Sequence, residues 1–112
     1  MTSKIQNDLD KQDRSPSLQE KQIEQTLVKA ARKRGGIALK FVSPGFDGMP
    51  DRLVLMLGGH MACVEVKAPG KKPRPLQESR HRFLRRLGFK VYVLNDPEKI
   101  AGILDEIESD AR

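Results

Sequence analysis

Apolar residues along the chain alternate between helical spacing and short strand-like runs, and this pattern predicts the order of its elements. Three stretches have apolar positions three or four residues apart, and four short stretches are rich in aliphatic and β-branched residues. The predicted helices span about 17–34, 76–87 and 96–107, and the predicted strands span about 37–42, 52–57, 61–67 and 89–94. The order α-β-β-β-α-β-α predicts an α/β (α+β) fold in which helices flank a mixed sheet.

Local signals define the ends of the helices. Ser17 is a good N-cap residue with Glu20 three positions later, and the Gly35-Gly36 pair ends the first helix. The predicted apolar side of the second helix is formed by Leu76, Phe83, Leu84 and Leu87. Residues 1–16 are polar and end next to a Ser-Pro-Ser turn, so we predict a flexible tail there and one folded domain over 17–112.

The second and third predicted strands form a hairpin that carries acidic and basic side chains. Period-two alternation places Glu65 and Lys67 on one face of the third strand, while Val64 and Val66 face the core. Asp51 stands at the start of the preceding strand, 14 residues before Glu65. The hairpin can therefore bring the two acids together, whereas Glu65 and Lys67 alone would be an ordinary surface ion pair.

The length of the hairpin loop decides whether these acids share a face. A two-residue loop, 58–59, would place Asp51 and Glu65 on opposite faces of the sheet. A three-residue loop, 58–60, pairs Asp51 with Lys67 and gathers both with Glu65 on one face. We predict this register, or a bulge equivalent to it, because the two glycines permit the positive φ angles that such a loop uses.

Composition and charge point to a polyanionic partner. The 112 residues contain 21 Lys and Arg against 15 Asp and Glu, a net charge of +6, so nucleic acid is the first candidate. Aromatic residues are only 4% of the chain, which argues against recognition by base stacking. A single cysteine excludes an internal disulfide and a multi-cysteine zinc site. Because no long apolar run or signal-peptide core is evident, we predict a cytoplasmic protein.

The positive charge is concentrated between Lys67 and Lys90, where Glu78 is the one acid. Residues 68–75 contain three prolines, which predict an irregular basic loop before the second helix. A charged surface often serves solubility alone. The proximity of this loop to the acids favours phosphate contacts instead. The residues predicted to contact nucleic acid are Lys71, Lys72, Arg74 and Arg80.

The residues that carry the chemistry resemble a known family. The segments Gly48-Met-Pro-Asp51, Glu65-Val-Lys67 and Pro69-Gly70, followed by Gln77, are similar to the motifs of the virus-type replication-repair nuclease (VRR-NUC) domain. This family is a branch of the PD-(D/E)xK nuclease superfamily. The resemblance covers roughly residues 18–107 and implies a restriction-endonuclease-like core.

The resemblance also implies roles for individual residues. It assigns Asp51 and Glu65 as metal ligands, the backbone carbonyl of Val66 as a further ligand and Lys67 as the catalytic lysine. Gln77 matches the helix glutamine that supports the site. Carboxylate and carbonyl oxygens suit Mg²⁺ or Mn²⁺, and a lysine nearby can orient a water or stabilise charge on a phosphate. The set therefore predicts a catalytic site of Asp51, Glu65, Lys67 and Gln77 with a divalent cation.

Family members carry one more glutamate, on the first helix. Glu24 is the better match, because apolar residues follow it at positions that place it on the inward face, and it is predicted as a catalytic residue and a further metal ligand. Glu20, one turn earlier, is the competing assignment. His60 and His81 are predicted to be exposed and without a catalytic role.

The function that these features predict is metal-dependent hydrolysis of DNA. Small stand-alone members of the family resemble phage or prophage proteins that cut branched DNA, which implies Holliday junctions or related structures as substrates. Two symmetric cuts in one junction would call for a C₂ homodimer. The alternatives are a nuclease acting on flaps, nicks or ends, a DNA-binding module without catalysis and an RNA-binding module.

Overall fold

The computed structural model describes residues 17–109; the predicted tail, 1–16, and residues 110–112 lie outside this range. The helices are α1 (Leu18–Lys33), α2 (Pro75–Arg86) and α3 (Ile100–Glu108), and a single 3₁₀ turn, Pro97–Lys99, precedes α3. The strands are β1 (Ile37–Lys40), β2 (Arg52–Met56), β3 (His60–Val66) and β4 (Val91–Leu94). The predicted order and the mixed α/β fold are therefore confirmed. Within residues 17–109 no helix combines the length and apolar character needed to cross a membrane.

The four strands form one sheet in the order β1-β2-β3-β4. The pairs β1–β2 and β2–β3 are antiparallel, and β3–β4 is parallel because α2 connects them. The central strand β3 has five consecutive buried residues, Ala62 to Val66, so both of its faces are covered. A polar side chain on this strand must therefore find its partners inside the protein.

The helices cover the two faces of the sheet unequally. One face carries the main core, in which Leu27 of α1 and Leu104 of α3 pack with Val54 and Val64 of the sheet. The opposite face has a smaller cluster in which Leu84 of α2 packs with residues of the strands. This second cluster includes Cys63, the residue two positions before Glu65. Glu65 therefore points toward α2.

The first helix begins as predicted. The Ser17 hydroxyl accepts a hydrogen bond from the backbone N–H of Glu20 at 3.1 Å, which satisfies one of the free donors at the helix start. At the other end the N–H of Gly36 donates to the carbonyl of Ala31 at 2.9 Å, and Gly35 has a φ of +84°. This left-handed residue is what ends the helix.

The predicted register of the hairpin is wrong by two residues, although the predicted face is correct. The loop consists of Leu57, Gly58 and Gly59, and Met56 pairs with His60. Because Met56 pairs with His60, Gly58 and Gly59 are the last two residues of the loop and not the first two. Both have positive φ, 85° and 80°. The same register continued to the end of the hairpin places Asp51 opposite Glu65, not Lys67, and thus on the same face.

The predicted apolar side of α2 is confirmed at Leu84 and wrong at its other three residues. Leu76, Phe83 and Leu87 are exposed. The residues of α2 that are buried against the sheet are Gln77, His81 and Leu84. Two of these three are polar because the strand below them carries Glu65, whose carboxyl group needs polar partners.

Candidate active site

Four of the predicted site residues, Asp51, Glu65, Lys67 and Gln77, meet where β2 begins and β3 ends. The Asp51 carboxylate accepts a hydrogen bond from the backbone N–H of Val66 at 2.9 Å. The backbone carbonyl of Asp51 accepts from the N–H of Phe41 at 2.8 Å. Hydrogen bonds thus fix both the side chain and the main chain of Asp51, which lies next to Glu65 at the start of β2.

The loop before Asp51 packs on α2. Gly48 has a φ of +87°, and a Cβ at this position would lie 2.8 Å from Leu76 Cγ. The Arg80 guanidinium lies 3.9 Å from the centre of the Phe46 ring and donates to the carbonyl of Asp47 at 2.8 Å. Arg80 therefore ties this loop to the helix that also carries Gln77.

Glu65 is the centre of the site. Its side chain is 1% exposed, and its Oε2 accepts a hydrogen bond from Gln77 Nε2 at 3.2 Å. The Lys67 ammonium lies 4.0 Å from the same oxygen and is partly exposed. The other oxygen, Oε1, is buried and has no hydrogen-bond partner among the residues that the structure describes. Lys67 can thus face solvent while Glu65 cannot.

The environment of Glu65 opposes its negative charge. Burial and then the neighbouring Asp51 carboxylate raise the pKa of Glu65 to about 9, whereas Lys67 acts in the opposite direction. Two carboxyl groups this close are typical of sites that either share a proton or hold a cation.

Gln77 has both ends of its amide engaged. Its Oε1 accepts from the backbone N–H of Arg74 at 2.8 Å, and its Nε2 donates to Glu65. The first bond satisfies the N-terminus of α2, and the second holds the carboxylate. The side-chain orientation of Gln77 is therefore fixed, which fits the supporting role that the resemblance implied.

The two glutamates of α1 lie in different surroundings. Glu24 forms an ion pair with Arg52 at 2.9 Å, and Arg52 also donates to the carbonyl of Ala38. Arg52 pairs with Val64 across the hairpin, so this ion pair belongs to the α1 side of the sheet. Glu20 lies near the other site residues: burial and then the Asp51 charge raise its pKa, and Lys67 opposes the shift. Of the two candidates, Glu20 has the electrostatic contacts with Asp51 and Lys67.

His81 is the site residue that the sequence analysis missed. It is 2% exposed, contrary to the prediction of an exposed histidine, and its Nε2 lies 3.5 Å from Glu65 Oε1. Burial lowers its pKa, and the nearby charge of Arg85 acts in the same direction. Its position four residues after Gln77 was the available signal, because residues i and i+4 lie on one side of a helix.

The donor atoms fit a hard divalent cation better than a softer metal. Across residues 17–109 no three His, Cys, Asp or Glu side chains form a group that could by itself hold a metal ion. The predicted ligand set has only two such side chains, Asp51 and Glu65, and is completed by a backbone carbonyl. Oxygen-only sites with few protein ligands are typical of Mg²⁺. The buried Glu65 Oε1 is an acceptor that a cation would satisfy.

The residues predicted to contact nucleic acid differ in their exposure to solvent. Lys71, Lys72 and Arg74 are exposed on the irregular loop between β3 and α2. Asn95 donates to the backbone carbonyl of Lys71 at 3.0 Å and so attaches the loop to the end of β4. Arg80 is partly buried by its contacts with Phe46 and Asp47. The three loop residues are therefore more accessible than Arg80.

Comparisons with known proteins identify relatives of this chain. No family profile matches the chain. A curated protein described as "Putative nuclease p44", from Acyrthosiphon pisum secondary endosymbiont phage 1, is 49% identical over 90 residues, which cover 80% of this chain and 96% of the relative. A solved structure described as "VRR_NUC domain" has a TM-score of 0.74 and 26% identity, covering 80% of this chain and 97% of the other.

The mixed sheet with paired acids and a lysine at one end, together with these relatives, defines a nuclease. The chain belongs to the VRR-NUC family.

Proposed function

We propose that this protein is a metal-dependent DNA endonuclease that cleaves phosphodiester bonds in branched DNA. The observation that carries the proposal is the buried carboxyl of Glu65, which lies beside Asp51 and Lys67 and has one oxygen without a hydrogen-bond partner among residues 17–109. A buried acceptor without a partner is costly, and it persists in proteins where a ligand or catalytic role requires it. A module that only binds DNA would gain nothing from acids near the phosphate.

Asp51, Glu65 and the backbone carbonyl of Val66 would hold Mg²⁺ or Mn²⁺. Such a cation, when bound, supplies Lewis-acid stabilisation of the phosphate and lowers the pKa of a coordinated water. The carboxyl pair fits this role because a bound cation would offset both the burial and the Asp51 charge that raise the pKa of Glu65. Glu20 and Glu24 are the candidates for a further ligand, and the proximity of Glu20 to Asp51 supports Glu20.

The other residues act on orientation and charge. The Lys67 ammonium, partly exposed at the mouth of the site, would donate hydrogen bonds to the attacking water or to a phosphate oxygen and offset the charge that develops there. Gln77 holds Oε2 of Glu65 in place. The Val66 N–H does the same for Asp51. Positioning of this kind keeps reacting groups aligned before the substrate arrives.

The exposed loop cations Lys71, Lys72 and Arg74 would contact phosphates on either side of the cleaved bond. Such contacts carry no sequence information, so a small domain of this kind would recognise the shape and backbone of DNA. This supports branched DNA, including Holliday junctions, as the substrate class. The phage relative supports action in the cytoplasm of a bacterial host.

A homodimer would supply two sites for paired cuts in a symmetric junction. Met61, Leu87 and Phe89 are exposed and line one crevice beside the hairpin loop. This crevice, which Arg85 and Lys90 also line, is at the opposite end of β3 from Glu65, and its Met61 lies about 13 Å from Glu65 along the strand. A dimer formed there would leave both sites open. Sedimentation at micromolar concentration should give twice the mass of one chain; a single-chain mass would argue against the dimer.

The proposal is tested by cleavage of a labelled four-way junction beside its matched linear duplex. Wild type, Glu65→Gln and Glu98→Gln are each assayed with Mg²⁺, with Mn²⁺ and with EDTA. Glu98 is exposed and lies outside the site, so Glu98→Gln makes the same chemical change as a control. We expect metal-dependent cleavage by wild type and Glu98→Gln, a preference for the junction, and no cleavage by Glu65→Gln.

The same proteins are assayed for DNA binding without divalent metal. If every protein binds DNA and none cleaves any branched, flapped, nicked or linear substrate, the DNA-binding module replaces the nuclease. Equal cleavage of junction and linear duplex would retain the nuclease but reject the preference for branched DNA. Metal-independent binding with a preference for single-stranded RNA would favour the RNA-binding alternative.

A further inference from the structure

Two polar side chains of α2 lie next to the carboxyl group of Glu65. Gln77 donates to Oε2 of Glu65 at 3.2 Å, and His81 Nε2 faces Oε1 at 3.5 Å. The two residues are one helical turn apart and both are buried. One rigid helix therefore presents a separate nitrogen to each oxygen of Glu65.

The pairing between His81 and Glu65 falls short of a hydrogen bond in this structure. Within residues 17–109, His81 Nε2 and Glu65 Oε1 are the buried side-chain polar atoms without a hydrogen-bond partner, and each is the other's neighbour. An apolar side chain would be the ordinary occupant of such a helix position. Two unpartnered polar atoms facing each other indicate an interaction that is completed when the carboxylate is held in its working position.

We propose that His81 is a positioning residue for Glu65. An ionised carboxylate only accepts hydrogen bonds, so a neutral imidazole with its hydrogen on Nε2 can donate to Oε1 while Gln77 donates to Oε2. Both oxygens are then fixed, and each keeps lone pairs for the cation. This role rests on the proposed metal-dependent nuclease activity. His81 is too deeply buried to contact DNA, so it acts through Glu65 and is not itself catalytic.

The test compares His81→Leu, which removes the nitrogen, with His81→Gln, whose amide can place a donor near the Nε2 position. His60→Leu removes the other histidine, at the far end of β3, as a control. Mn²⁺ affinity is measured on the full chain without DNA by electron paramagnetic resonance of the free ion. Unfolding in urea shows that each variant is folded, and kcat and KM are then measured on the junction.

Outer partners of metal ligands typically change metal affinity by 10–100-fold. We therefore expect His81→Leu to weaken Mn²⁺ binding by about 10–100-fold, His81→Gln to recover most of this loss and His60→Leu to bind as wild type does. The loss in cleavage should appear in kcat at saturating metal, with KM for DNA unchanged. Unchanged Mn²⁺ affinity in folded His81→Leu would overturn the proposal, and so would equal losses in both His81 variants.

A measurement on the unmodified protein covers the case in which His81→Leu does not fold. In the Mg²⁺-saturated protein, long-range ¹H–¹⁵N spectra should show His81 with its hydrogen on Nε2. A hydrogen on Nδ1 alone would overturn the proposal. If wild type binds neither Mn²⁺ nor Mg²⁺, the proposed function itself fails, and this result differs from a wild type that binds metal with no contribution from His81.

Discussion

At the scale of single residues, Glu65 is a buried carboxyl group that lowers the stability of the folded protein. It occupies a fully buried position on the central strand, where an apolar side chain would need no partners. Its neighbours supply one hydrogen bond, from Gln77, and one cation, Lys67, at 4.0 Å. An ionised carboxylate in such surroundings is stable only with further compensation. This cost is understandable if the site binds a cation, as proposed above.

Substitutions of the two glutamates of α1 should have different effects, one on activity and the other on stability. Glu20→Ala should lower metal-dependent cleavage by about 10- to 100-fold, because it removes a carboxylate that interacts electrostatically with Asp51, and should change stability little. Glu24→Ala should retain cleavage and lose about 1.5–3 kcal/mol of unfolding free energy, because Arg52 loses its charged partner. Cleavage rates and urea unfolding of both variants check this.

Each variant serves as the control for the other, since both remove a glutamate from the same helix. The reverse result, in which Glu24→Ala abolishes cleavage and Glu20→Ala does not, would restore Glu24 as the helix ligand. Helical periodicity could not separate the two in advance. It shows that Glu24 faces inward, but not that Arg52 meets it on the α1 side of the sheet.

His81 shows a second limit of prediction from the residues alone. It lies between Arg80 and Arg82 in a basic stretch, and the leucines and Phe83 of α2 suggested that the buried side of the helix was apolar. The helix instead turns its polar side inward, because Glu65 on β3 requires polar partners. Which side of a helix is buried depends on the surface beneath it, and that surface is formed by residues distant in sequence.

At the scale of elements, the hairpin explains why the sequence could predict that Asp51 and Glu65 share one face of the sheet. Strand residues alternate between faces with a period of two, so a register error of two residues leaves every side chain on its correct face. The predicted pairing of Asp51 with Lys67 is therefore wrong, but the predicted face of the sheet is correct for both residues. The order of elements was predictable because Ser17 and the glycine pairs define ends locally.

The loop that precedes Asp51 offers a test of how α2 and β2 are held together. Gly48→Ala and Gly45→Ala both place a side chain at positive φ, which costs about 1–2 kcal/mol. Only the Gly48 variant also places its Cβ against Leu76 and Arg80, at 2.8 and 3.2 Å. We expect Gly48→Ala to lose about 1–3 kcal/mol more than Gly45→Ala in urea unfolding, and to cleave more slowly because Asp51 shifts.

Gly45 is the matched control because a Cβ there has nothing within 4 Å. Equal losses of stability in the two variants would mean that the loop moves away from α2 without cost. In that case the contacts of Arg80 with Phe46 and Asp47 would not fix the position of Asp51.

At the scale of the whole molecule, acidic residues lie in the candidate site and basic residues lie on the exposed loop next to it. The net charge is +6, yet the Asp51 and Glu65 carboxyl groups are neighbours at one end of the sheet, and Asp51 and Glu65 lie close enough to Glu20 for the charges to influence one another. Without a cation these acids would repel the phosphate that they are proposed to act on. The exposed loop with Lys71, Lys72 and Arg74 is attached beside them and would attract the DNA backbone toward that end.

The salt dependence of DNA binding measures this attraction. Each phosphate contact contributes about 0.9 to the slope of log affinity against log salt concentration. The double variant Lys71→Gln/Lys72→Gln should therefore lower the slope by about 2, and cleavage should remain at the same phosphodiester. Binding is measured by fluorescence anisotropy of a labelled junction in Ca²⁺ over a series of salt concentrations, and the cut position is mapped in Mg²⁺.

The control is Lys29→Gln/Lys33→Gln, which removes the same charge from exposed residues in the C-terminal half of α1. At about 1.5 Å per residue, Lys33 lies roughly 20 Å along the helix from Glu20, so this variant should change the slope little. If both double variants lower the slope equally, net charge alone attracts the DNA and the loop has no special role. If only the loop variant does so, the basic loop is the surface that holds the DNA backbone beside Glu65.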